Sequence, residues 1–241
     1  MSAPRTYRDA AVVLRTYKLG ESDRIVVLLT RTHGKVRAVA KGVRKVGSRL
    51  GARLEATGHV VVQLHRGRGE LQTVTQVESV ELFADLRADF DRVARASAML
   101  EVVEQVAREG EATPELYELT VKGLRAVEHR PSPLVTASFF LRLLEEDGVG
   151  LQVEGCIECG TADQLVSLDL EASGLCCAQH RRGLALSPAA VELLGAILGG
   201  RMSWALAQPV TAATWEVDHL AAAAIESHLE RRIRSLHLEH H

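Results

Sequence analysis

Aromatic residues are scarce in this chain of 241 residues. Only 4% are Phe, Trp or Tyr, and residues 1–80 hold just Tyr7 and Tyr17. A domain that grips a nucleic acid strand by stacking its bases on rings is poorly supplied here. No run of 18 uncharged apolar residues occurs, so no membrane span is expected. The opening MSAPRTYRDA has no apolar h-region, so no signal peptide is expected and a cytoplasmic location is the default expectation. The catalytic signatures G-x-x-x-x-G-K-[ST], H-E-x-x-H and G-x-S-x-G are missing. No proline precedes a cysteine pair and no H-x-E lies upstream of one, which excludes the base-deaminase pattern. No Asp-rich cluster suits a nuclease, and Glu145-Glu146-Asp147 reads as the polar end of a helix.

What is present is ordinary in bulk and uneven in distribution. With 46% hydrophobic and 25% charged residues, the chain can bury a core as one large domain or two small ones. The net charge of −2 conceals a split: residues 1–80 carry 15 Lys+Arg against 6 Asp+Glu, while residues 81–241 carry 14 against 25. Such asymmetry marks two domains with different partners. The last four residues, 238–241, read as the start of a vector-derived His tag and are set aside.

The basic part reads as five short strands: residues 10–17, 24–30, 35–41, 59–65 and 71–80, with turn residues between them. Residues 42–56 form a longer connection with room for a helical turn. That pattern suits a small closed barrel of the OB type. The remainder reads as helix. One amphipathic helix is expected over residues 85–108, with Leu86, Phe90, Val93, Ala94, Met99, Val102, Val103 and Val106 on its apolar stripe. Others start at Thr113-Pro114, run over 134–146, and run from Ser187-Pro188 to about Leu198, where Gly199-Gly200 closes the helix. The last is expected from about Thr214 to Leu236, with Leu229, Ile233 and Leu236 on its buried side. The expected fold class is therefore α+β: a five-stranded OB-type barrel over 1–80, then an all-helical domain over 81–237, into which the cysteine cluster described below inserts a zinc knuckle at 154–182.

Residues 31–54 hold Arg31, Lys35, Arg37, Lys41, Arg44, Lys45, Arg49 and Arg53 and no acid. Strand alternation sets Lys35, Arg37 and Lys41 on one face and Val36, Ala38 and Ala40 on the other. Clustered cations repel one another, and a polyanion relieves that repulsion while releasing its counterions. With few rings available, the expected grip is on phosphates, with weak sequence preference and steep salt dependence. A solvated basic face, or one that meets an acidic protein, is the alternative.

All four cysteines fall within 22 residues, as Cys156-Ile157-Glu158-Cys159 and Cys176-Cys177-Ala178-Gln179-His180. C-x2-C followed by C-x2-H supplies four tetrahedral S/N ligands for zinc: Cys156, Cys159, Cys177 and His180. Cys176 is the fallback for Cys177. Disulfides are disfavoured in a reducing compartment. A catalytic zinc site would need an open position and a carboxylate base, so a structural zinc is expected. The remaining histidines, His33 and His59 among them, are scattered and read as ordinary surface or packing residues.

Several stretches together resemble the RecO family of bacterial recombination mediators. They are VVLRTY at 12–17, GESDRIV at 20–26, TRTHGK at 30–35, AKGVRK at 40–45, Ser48-Arg49, FFLRLL at 139–144 and the C-x2-C-G…C-x2-H segment. The resemblance implies a non-catalytic protein with an N-terminal OB domain and a helical domain holding a zinc knuckle. It implies binding to single- and double-stranded DNA, annealing of complementary strands, and help to RecA in displacing single-strand-binding protein (SSB). RecR, the acidic C-terminal tail of SSB and DNA are the implied partners, with a nucleoid-associated location. DNA contact carries over, as a group, to Arg15, Lys18, Arg24, Lys35, Arg37, Lys41, Arg44, Lys45 and Arg49. His180 departs from the four-cysteine form of the knuckle. No motif places a pocket for the SSB tail.

Overall fold

The computed structural model describes residues 5–45, 48, 50–130 and 132–237. Arg49 and residues 238–241 lie outside the described residues. The chain divides into two compact units, one reaching Glu128 and one running from His129 to His237.

In the first unit, β1 (Thr6–Leu19), β2 (Asp23–Thr30), β3 (Gly34–Ala40), β4 (His59–His65) and β5 (Gln72–Glu81) close into a barrel in the order β1-β2-β3-β5-β4. Every neighbouring pair is antiparallel except β3 with β5, which is parallel. This is the expected five-stranded OB-type barrel. β1 is longer than the apolar run suggests because it serves two neighbours. Its first half pairs with β4 and its second half with β2, and a register shift between Val13 and Arg15 bends it from one to the other. The short turn expected in the long connection is a 3-10 turn at Ala52–Leu54.

Alternate residues fill the barrel, among them Val13, Val26, Leu28, Val36, Ala38, Val60, Val62 and Leu64. Val12, Val27 and Leu29 face outward yet are 0–3% exposed. α2 (Phe90–Val106) packs on β1, with α1 (Ala84–Arg87) against α2 and α3 (Pro114–His129) completing the helices of this unit. The α2–α3 connection adds itself to the edge of β3. The Lys35 amide donates to the Arg108 carbonyl, and the Gly110 amide donates to the Lys35 carbonyl.

Here the single helix expected over 85–108 proves to be two. Asp89 accepts from the Arg92 amide at 2.9 Å and so starts α2 afresh. Phe90 then falls on the first turn and is 62% exposed, not part of a buried stripe.

The second unit is built on α4 (Pro133–Glu146), most of which is buried, packed against α7 (Ala212–His228). α5 (Pro188–Leu198) and the short α6 (Met202–Ala205) complete its helices. Ser132 and Ser187 cap α4 and α5 through their side chains. α7 ends well before the expected Leu236, and Glu230 adopts a left-handed φ of 49°. Ile233 is nevertheless fully buried, reached by chain that folds back after the helix. Between α4 and α5 lies a sheet, which the expectation of an all-helical domain does not include: β7 (Gly174–Cys177), β6 (Leu165–Asp169) and β8 (Leu184–Ala185), in that order.

Candidate nucleic-acid interface and metal centre

Cross-strand register decides which cations meet. Arg15 lies opposite Val27, and Val27 opposite Arg37; Leu29 lies opposite Lys35. Opposed residues share a face, so Arg15, Lys35 and Arg37 stand together outside β1, β2 and β3. Tyr17, Ile25 and Val39 form the neighbouring row on that face. Lys18 and Arg24 sit opposite each other at the end of the β1–β2 hairpin. Lys41, Arg44 and Lys45 occupy the turn after β3. That turn is tied to the same hairpin end: the Arg44 amide donates to the Ser22 carbonyl at 2.9 Å and the Gly42 amide to Asp23 at 2.8 Å. The Gly42 amide holds the Asp23 carboxyl below its ordinary range, with Ser22 and Lys41 adding to the effect.

These cations are not equally available. The Arg24 guanidinium pairs with Glu55. The Lys35 ammonium donates to the Glu104 carbonyl at 2.6 Å. Arg15 lies 3.6 Å from the Glu104 carboxylate and over the Tyr17 ring, 5.1 Å from its centroid. Arg44 is exposed but donates to the Gly20 carbonyl at 3.1 Å. Lys18, Arg37, Lys41 and Lys45 are exposed, and their side chains make no hydrogen bond or ion pair among the described residues. Two further cations of the basic window serve the fold: Arg31 pairs with Glu118 at 3.2 Å, and Arg53 donates to the Val77 carbonyl at 3.0 Å.

Two of the scattered histidines prove to be specifically placed. His33 stacks on Tyr7, 4.0 Å between centroids, and its Nδ1 lies 2.7 Å from the buried carboxylate of Asp9. Arg66 covers the Tyr7 ring at 4.8 Å, so this corner gathers ring and cation beside Arg37. His59 stands between Glu81, 2.9 Å from Nδ1, and the Tyr117 hydroxyl, 2.7 Å from Nε2. Burial pushes the pKa of the Tyr117 hydroxyl up to about 12, so it stays protonated. Arg125 donates to Glu81 through two nitrogens, which joins α3 to the ends of β4 and β5. Nothing in local periodicity signals these groups, because strand pairing and the packing of α3 bring them together from distant parts of the chain.

In the second unit, the ligand atoms of Cys156, Cys159, Cys177 and His180 lie within 4.8 Å of one another. The Cys159 and Cys177 sulfurs are 3.8 Å apart. His180 Nδ1 lies 3.3 Å from Cys177 Sγ and 3.7 Å from Cys156 Sγ. A tetrahedral zinc with Zn–S of about 2.3 Å separates two sulfurs by about 3.8 Å, so the donor set fits a metal ion. The Cys177 backbone amide, with those of Cys159 and Glu158, lowers the Cys156 thiol to about 6, which prepares a thiolate ligand. The short loops come from backbone bonds. The Gly160 amide donates to the Cys156 carbonyl at 2.7 Å, and Gly160 takes a φ of 75° that closes the first knuckle. Cys176, the fallback ligand, is not in the cluster. It is fully buried, and burial pushes its thiol up. Arg182 braces the knuckle by pairing with Glu158 at 2.6 Å and with Asp169.

Two family models match the chain. One described as "Recombination protein O N terminal" matches residues 1–83. One described as "Recombination protein O C terminal" matches residues 87–237.

Proposed function

The chain belongs to the RecO family of DNA repair and recombination mediators, and from that membership we propose that it is a non-catalytic DNA-annealing and loading factor. It binds single- and double-stranded DNA through the barrel, anneals complementary strands, and helps RecA onto DNA coated by SSB. The observation that carries this reading is the group of exposed cations: Lys18 at the β1–β2 hairpin end, Arg37 on the outer face of β3, and Lys41, Arg44 and Lys45 in the adjoining turn. Arg15 joins them on the strand face that Arg37 occupies. Cations that hold phosphates while few rings compete for bases leave the base edges open to pair, which is what annealing needs.

The partners proposed are DNA, RecR and the C-terminal tail of SSB, with a functional link to RecA and a nucleoid-associated place in the cytoplasm. No helix among the described residues is long and apolar enough to cross a membrane. DNA contact is assigned to Arg15, Lys18, Arg24, Lys35, Arg37, Lys41, Arg44, Lys45 and Arg49 as a group. Within it, Arg24 and Lys35 must first leave the partners they hold on the protein, Glu55 and the Glu104 carbonyl. Zinc is the proposed metal, held by Cys156, Cys159, Cys177 and His180; when bound it would cross-link the two knuckles.

Annealing of complementary oligonucleotides, with and without SSB, at two salt concentrations tests the reading. Salt-sensitive annealing without cleavage is the expected result. Binding to an acidic peptide but not to DNA would replace it with an adaptor function, and metal-dependent turnover would replace it with an enzyme.

A further inference from the structure

A cleft of about 450 Å³ opens on the outer face of β1, β2 and β3. Tyr17, Ile25, Val27, Lys35, Arg37, Glu104 and Glu109 line it, and Val27 is almost wholly buried at its base. Glu104, on α2, meets two of these groups, Tyr17 and Lys35, and also Arg15, which stands on the same strand face beside the cleft. One carboxylate oxygen lies 3.6 Å from Arg15, the other accepts from the Tyr17 hydroxyl at 3.4 Å, and the backbone carbonyl takes the Lys35 ammonium. The carboxylate contacts are longer than the 2.7–2.9 Å or so of a tight charge-assisted bond. A phosphodiester likewise carries one negative charge shared between two oxygens. Burial, and then the Glu104 charge, raise the Tyr17 hydroxyl above its ordinary value, so it remains a donor.

We propose that this cleft is a nucleotide site for single-stranded DNA, in which the Glu104 carboxylate is an internal stand-in that a phosphodiester displaces. Arg37 in the cleft and Arg15 beside it supply the charge, and Tyr17, the one ring on this face among the described residues, stands beside the half-buried Ile25, an apolar surface that suits a base. A stacked duplex keeps its bases inside and cannot fill such a cleft, so the site favours a single strand. The inference rests on the DNA-binding reading above. It also names a residue, Glu104, that weakens binding by its presence.

The test uses the full chain and a fluorescein-labelled 30-mer, single-stranded and as a duplex, followed by anisotropy at 50 and 200 mM salt. Glu104→Gln is expected to bind the single strand about two- to fivefold tighter, the range set by a half-exposed ion pair. Its salt slope should steepen by up to about 0.7 as Arg15 becomes available, and the duplex should gain less. Arg15→Ala in the E104Q background should cancel the gain. Glu78→Gln removes the same charge from the Arg8–Glu78 pair on β1 and β5 and should give a smaller gain. If E104Q melts early, Glu104→Asp keeps the charge, shortens the reach to Arg15 and should show the same gain at smaller size. Unchanged or weaker binding by a folded Glu104 variant, or equal gains from E78Q and E104Q, would overturn the proposal. A wild-type protein that binds neither DNA would instead overturn the functional reading on which it rests.

Discussion

Replacing Lys41, Arg44 and Lys45 together with alanine should remove most of the DNA affinity while leaving the fold intact. The turn that carries them is held by its backbone: the Arg44 amide to Ser22, the Gly42 amide to Asp23, and Val43 buried at 5% exposure. Among the described residues, the one side-chain bond lost is that of Arg44 to the Gly20 carbonyl, which is exposed and worth about 1 kcal/mol or less. Five exposed cations, Lys18, Arg37, Lys41, Arg44 and Lys45, face solvent. If each neutralises one phosphate of a single strand, log K falls with log salt at a slope of about −0.7 per contact, or about −3.5 in all. The triple variant should keep a slope of about −1.4. At 0.1 M salt the difference is about two decades, a loss of roughly 100-fold. Anisotropy with a labelled oligonucleotide between 50 and 200 mM salt measures both quantities, and thermal melting checks the fold. A folded triple variant with the wild-type slope would refute the placement of the contacts in this turn.

Other perturbations test the rest of the structure. Cys159→Ser should lower bound metal from about one equivalent toward zero, read by plasma mass spectrometry. Cys176→Ser should leave metal content unchanged but cost about 1–3 kcal/mol, because it buries a hydroxyl in a fully enclosed position. Arg125, with His59, holds the Glu81 carboxyl below its ordinary value of 4.5. Its contribution is therefore complete above pH 4.5 and lost as pH falls through the lowered value. Melting curves against pH should show that acid limb in wild type and a flatter one in Glu81→Gln, with a difference of no more than about 1 kcal/mol at neutral pH. Gly34→Ala should destabilise the first unit by at least about 2 kcal/mol in urea unfolding. Gly34 has a φ of 67°, and an added Cβ would lie 2.1 Å from the Glu111 carbonyl oxygen.

Legibility in the sequence follows the length and punctuation of each element. β4 falls on the expected residues 59–65, because its alternation is regular and glycine flanks it on both sides. α5 falls between Ser187-Pro188 and Gly199, because cap, proline and glycine mark both ends. The break before Phe90 is hidden, since apolar spacing continues across it and only the Asp89 cap interrupts the helix. β6, β7 and β8 have five, four and two residues, too few to show a period. The C-x2-H spacing to His180 favours Cys177 over Cys176, and strand alternation, which points neighbours to opposite faces, keeps Cys176 out of the cluster. The cations are legible as a cluster. Their partners Glu55, Glu104 and Glu118 are not, because each comes from a distant part of the chain.

The helices after the barrel have a consequence for how damage to this protein would be read. α2 packs on the outer side of β1, where Val12 is fully buried, and residues 108–110 fill the edge of β3. A fragment ending near residue 83 would expose a greasy flank and an unpaired strand edge, both invitations to self-association. By the same logic, a lesion in α2 or the connection after it could abolish DNA binding without touching a single DNA-facing residue. A loss-of-binding phenotype mapped to those helices would report a barrel left without its outer wall.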